Sequence, residues 1–170
     1  MTEAPGPIVA WEVPQEPAGP ALGVVFAPHG ERLAAYFLDG LVVAAVYLLL
    51  SLVAFVPVLV MGRAGGEGLG SPAGVAAFIL FFVIAFGVAI AYFPYFWHRS
   101  GQTPGMRLFR LHVVRDRDGG PLSWGTSWLR LLGLYVAATV FYLGFIWVFV
   151  DKRRRGWHDL IAGTVVIKRS

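Results

Sequence analysis

Three stretches almost empty of charge constrain this 170-residue chain more than any motif it carries. Leu33 to Met61 is 29 residues with one charge, Asp39; Pro72 to Trp97 is 26 with none; Leu131 to Val150 is 20 with none. A helix needs about 20 apolar residues to cross a bilayer core, so each run is long enough. The composition agrees: 57% of residues are hydrophobic and 14% charged, whereas an ordinary soluble domain carries about 45–50% and about 25%. The expectation is a small all-α integral membrane domain over residues 29–170, with apolar segments at about 33–61, 72–97 and 131–150. The chain has no cysteine, which excludes disulfides, thiolate metal sites and a Cys nucleophile.

The ends of these runs carry the orientation signals. Residues 1–28 hold six prolines with Glu3, Glu12 and Glu16 and show no hydrophobic period, the composition of a disordered tail. They lack the basic start of a secretory signal, so the first long helix is expected to stay as an anchor. The turn from Gly62 to Ser71 is glycine-rich and carries no excess of charge; it reads as the outer face. Of 14 Lys and Arg, six lie between Arg99 and Arg130 and six between Lys152 and Arg169. Basic residues beside apolar spans mark the cytoplasmic side, which places both termini there in a cytoplasmic (plasma, or inner) membrane. Lys152 to Arg155 suit anionic lipid headgroups. The partners expected are therefore the bilayer and its anionic lipids, with no nucleic acid.

Two short segments read as strands. Leu108 to Val114 contains alternating apolar positions after the turn Gly101-Gln102-Thr103-Pro104-Gly105, and Thr164 to Lys168 is β-branched. Each alone is marginal, and pairing them makes a small cytoplasmic two-stranded β element. An odd number of crossings would put the two strands on opposite faces. The third apolar segment therefore reads as re-entrant, with Gly133 and Gly144 as bend points, or else as a plain third crossing.

Asp39 is the residue with most to explain, because a carboxylate inside a span costs about 2.5–3.5 kcal/mol on insertion scales and persists with a partner or a function. It reads as a transport residue or as interhelical glue. Arg32, seven residues earlier, is about 10 Å away along the helix and leans toward the headgroups, so it is not expected to pair with Asp39. Arg130, at the entrance to the third segment, or another Arg from residues 99 to 130, is the expected counter-ion for Asp39; the other reading of Arg130 is a membrane-side anchor. No paired catalytic carboxylates, nucleophile with a base, cofactor fingerprint or His spacing suited to a metal is evident. The expectation is a non-enzyme with no cofactor and no metal.

Three pieces then fall in order: Glu31-Arg32-Leu33-Ala34-Ala35-Tyr36-Phe37-Leu38-Asp39; Gly101-Gln102-Thr103-Pro104-Gly105-Met106-Arg107-Leu108 with Leu111-His112-Val113-Val114; and Arg155-Gly156-Trp157-His158-Asp159-Leu160-Ile161-Ala162-Gly163-Thr164-Val165-Val166. Together they resemble the RDD family of small membrane proteins over about residues 28–168. The family is named for one arginine and two aspartates. The resemblance maps these to Arg32, Asp39 and Asp159, with Asp151 the other choice for the last. It implies a transport-related membrane protein, with cation/proton exchange as one proposed activity.

Two functions are carried forward: an ion or proton exchanger using Asp39, and a non-catalytic accessory or scaffold subunit of a larger membrane complex. A lipid-binding module is the third. Arg32 is expected to meet Asp159, or failing that Asp151, and removing one partner of such a buried pair should cost about 3–5 kcal/mol. Small residues four apart, Gly40 with Ala44 and Gly87 with Ala91, suit close helix approach. Two or three spans are too few to line a path, so a homo-oligomer or a subunit of an assembly is expected.

Overall fold

The structure is a computed structural model and describes residues 24–66, 68–140 and 147–169. Two long helices form its spine: α1, His29–Arg63, and α2, Pro72–Ser100. Their 35 and 29 residues correspond to about 50 and 43 Å of helix at 1.5 Å per residue, more than a bilayer core requires. Both are long and apolar enough to cross a membrane. The connecting turn ends at Ser71, whose hydroxyl accepts from the Gly74 amide at 3.0 Å, and Pro72 begins α2 at the position where a missing N–H costs nothing. Away from the helix ends the hairpin is apolar on its outside: Leu49, Val53, Val83 and Phe86 are all more than 60% exposed. In water such a surface would be an aggregation patch; in lipid it is solvated.

A small polar-rimmed cap closes one end, where α1 begins and α2 finishes. Gly101 ends α2 with φ 68°, and a side chain there would also strike the Val113 carbonyl oxygen at 2.9 Å. Thr103 caps the short helix α3, Pro104–Leu108, by accepting from the Met106 amide at 3.2 Å. Then follow β2, Leu111–Arg115, the helix α4, Trp124–Thr139, a 3₁₀ turn at Trp147–Phe149, the helix α5, Trp157–Ala162, and β3, Thr164–Arg169. The third element of the sheet comes before the hairpin: β1, Val24–Phe26. Strand order is β1-β3-β2, both pairings antiparallel, with Val25 opposite Lys168 and Val113 opposite Val166. One core joins cap to spine, built from Ala35, Trp97, Met106, Leu111, Leu131 and Val166. A smaller cluster of Val114, Val165 and Ile167 lies apart from it.

The sequence reading needs three corrections. The β element has three strands, because Val24–Phe26, inside the stretch read as tail, hydrogen-bonds to β3. β2 starts at Leu111, since residues 104–108 are taken by α3 and leave Leu108 pointing outward at 72% exposure. Gly133 is not a bend: it lies within α4, where an added Cβ would sit 2.8 Å from the His158 Cα. Its role is to let α5 approach α4 closely. Gly144 falls outside the described residues.

Candidate functional site

Among the described residues, Arg32, Asp39, Arg130 and Asp159 are buried at the junction of hairpin and cap, with His158 beside them. They fall into two separate clusters.

The first is built on Asp39. Helical spacing puts Ala35 and Asp39 on one face of α1, and both are fully buried. Against that face lies the turn entering α3. The Asp39 carboxylate accepts from the Thr103 hydroxyl (Oδ2, 2.5 Å), the Gly105 amide (Oδ1, 2.8 Å) and the Tyr92 hydroxyl (Oδ1, 2.9 Å). Three uncharged donors from two other elements thus converge on one carboxylate. Gly105 is there because nothing larger fits: a Cβ would lie 2.2 Å from the Ala35 carbonyl oxygen and 3.0 Å from the Asp39 carboxyl carbon. The turn residues Gly101, Thr103 and Gly105 therefore have distinct tasks, a left-handed helix stop, a cap that doubles as a donor, and a close approach. Among the described residues no Arg, Lys or His forms an ion pair with Asp39. The expected Asp39–Arg130 pairing is overturned, because Arg130 is engaged elsewhere.

The second cluster is built on Asp159. Its Oδ2 accepts from Arg32 Nη2 at 2.5 Å and from the Gly156 amide at 3.0 Å, while Oδ1 pairs with Arg130 Nη1. Arg130 Nη1 also reaches the Thr164 hydroxyl at 2.5 Å, and Arg32 Nη1 donates to the Arg154 carbonyl. The expected Arg32–Asp159 contact is present, and Asp151 is excluded from it. Asp151 instead pairs with Arg155, Nε to Oδ2 at 3.0 Å, in its own loop.

Two guanidinium groups on one carboxylate leave this buried cluster with a net positive charge. Arg130 lies 4.8 Å from the centre of the Trp97 ring, so its remaining charge faces an aromatic quadrupole. Among the described residues, its Nε and Nη2 have no hydrogen-bond acceptor. Burial alone would raise the Asp159 carboxyl, but Arg130 and then Arg32 hold it below the usual carboxylate range. His158 packs edge-on to Tyr36 at a ring distance of 6.3 Å. Burial pushes its imidazole down to about 3, against the opposing pull of Asp159, so it is neutral near pH 7.

Tyr92, Trp97, Gly156 and Thr164 complete the two clusters and were not among the site residues expected from the sequence, although Gly156 and Thr164 lie within the third quoted motif. Tyr92 and Trp97 sit in an aromatic run that reads simply as a membrane-interface belt. Among the described residues, no three His, Asp or Glu side chains converge as metal ligands do.

The RDD family model matches residues 26–163, a span that contains every residue of both clusters except Thr164. The chain is also similar to an uncharacterized protein of Rickettsia prowazekii (strain Madrid E), 32% identical over 95 residues. That match covers 54% of this chain and 53% of the relative, so the chain spans about half the length of that curated relative. No solved structure matches.

Proposed function

The chain belongs to the RDD family and is a membrane protein, and we propose that it serves as a non-catalytic accessory or scaffold subunit of a membrane assembly. In this reading the hairpin is the anchor, the cap is the presented face, and the buried charges are the joints between them. The observation that carries it is the state of Asp39. Its carboxylate is fully buried and engaged by three uncharged donors that tie α1 to α2 and α3. A carrier group must be reached by its ion from two sides in turn, whereas a latch must not move. The geometry favours the latch.

The exposed apolar flanks of α1 and α2 support an assembly, since two helices enclose no path of their own. Gly40 and Gly87 have open space where a side chain would be, so another helix can approach there; the second copy or partner subunit packs on those faces. The dense positive charge of residues 99–130 and 152–169 supports a cap facing the cytoplasm. The β2–β3 pairing and the 16 residues of α4, about 24 Å of helix, support a third segment that returns to the side it entered from.

The competing reading is cation/proton exchange with Asp39 as carrier. Purified chain in proteoliposomes, with a trapped pH dye and an imposed cation gradient, separates the two. The scaffold reading expects no proton flux above that of empty liposomes, with wild type and Asp39→Asn alike. Flux that is present in wild type and abolished in Asp39→Asn would overturn it.

A further inference from the structure

The final turns of α2 connect two cavities, the first of which shares only Tyr92 with the Asp39 cluster. One is an apolar groove of about 380 Å³ between α2 and α4, walled by Val88, Ala91, Tyr95, Trp124 and Trp128. The other is a polar pocket of about 240 Å³ that includes His98, Arg99, Ser100, His112 and Arg169. Val88, Ala91, Tyr95 and His98 follow at intervals of three and four, so one face of α2 runs from groove to pocket. At the joint, His98 packs against Trp124 with ring centres 4.4 Å apart and planes tilted by 30°, and holds the Leu122 carbonyl oxygen through Nδ1 at 2.9 Å.

The pocket differs from the other basic region of the cap. In the larger cleft beside Ser123 and Thr126, Arg115 and Arg117 are each answered by Asp118, and Arg153 by Asp116. Among the described residues, no carboxylate lines the α2 pocket. Arg99 and Arg169 form no ion pair among the described residues, and both are exposed. Two uncompensated guanidinium groups at the polar end of an aromatic, apolar groove form an amphiphile's negative imprint. Trp and Tyr side chains lie at the joint, as they do at headgroup level.

We propose that this joint site binds one anionic phospholipid, its phosphate against Arg99 and Arg169 and an acyl chain along the groove beside Trp124 and Trp128. The proposal rests on the chain being embedded in a membrane. Arginine suits the role because its planar fork matches phosphate oxygens in pairs.

The test uses the full chain in phosphatidylcholine nanodiscs. These are doped with a minor fraction of either dibromoacyl-phosphatidylglycerol or dibromoacyl-phosphatidylcholine, and tryptophan emission is recorded. Wild type should be quenched at much lower mole fraction of the anionic lipid. Each near-surface arginine is worth about fivefold in affinity, so Arg99→Gln with Arg169→Gln should reduce the preference at least tenfold. Quenching by brominated phosphatidylcholine should be unchanged in that variant, which shows that it is folded and embedded. Trp124→Phe should remove part of the quenching specific to the anionic lipid. Equal quenching of wild type by the two lipids overturns the lipid site while leaving the protein in the membrane. Absence of quenching by either lipid overturns the embedding itself. Thermal stabilisation by inorganic phosphate without any preference for the anionic lipid assigns the pocket to free phosphate and overturns the proposal.

Discussion

Asp159 and His158 are neighbours in sequence with opposite electrostatic fates. Asp159 is kept charged by Arg130 and Arg32, and His158 is kept neutral by burial. Both make the cap sensitive to acid, over different ranges. For His158 the folded value of about 3 lies below the ordinary 6.5, so the unfolded chain takes the proton first, and stability falls as pH drops below 6.5 toward 3. For Asp159 the folded value is also lowered, so its contribution is lost only as pH falls below the ordinary 3.8. Between pH 6.5 and about 4 the loss of stability therefore reports histidine, at up to about 1.4 kcal/mol per pH unit. Burial lowers His112 as well, but that share is common to any variant of His158. Melting temperatures in detergent across this range should fall more steeply for wild type than for His158→Asn; equal slopes would contradict the assignment. The Arg32–Asp159 contact was legible from sequence because two short motifs with opposite charges both belong at one membrane face. The partners of Asp39 were not, since a hydroxyl and an amide that lie 64 and 66 residues away leave no periodic or charge signal.

Among the elements, the long helices were the most legible, because 35- and 29-residue helices follow directly from apolar runs that hold one charge between them and are bounded by prolines, glycines and bases. The small elements were less so. The strand β1 follows a proline-rich stretch whose composition reads as tail, and only the exposed edge of β3 gives it a partner. The turn into α3 is recognisable from Thr103 and Pro104, yet its docking onto α1 depends on the missing side chain of Gly105. Gly105→Ala would place a Cβ 2.2 Å from a backbone oxygen of α1, and a helix backbone cannot shift as a flexible side chain can. This substitution should cost at least the ~1–3 kcal/mol typical of overpacking, seen as a lower melting temperature of the detergent-solubilised protein. Gly119→Ala, in open space but at a positive φ that Gly105 does not share, gives the scale for backbone strain alone. A Gly105→Ala protein no less stable than Gly119→Ala would refute the close-approach argument.

The molecule as a whole is a helical hairpin bolted to a cap through two buried clusters, and the proposal places every cap element on one side of the membrane. The absence of cysteine from the sequence makes the arrangement directly measurable. Single cysteines at Gly70, in the interhelical turn, at Arg117, after β2, and at Lys152, before α5, can be labelled with an impermeant reagent in intact cells and in inverted vesicles. Gly70→Cys should label only from outside, and both Arg117→Cys and Lys152→Cys only from the cytoplasmic side. Labelling of Lys152→Cys from the same side as Gly70→Cys would mean that the third segment crosses. It would separate β3 from β2 and Asp159 from Arg32, and would contradict the account.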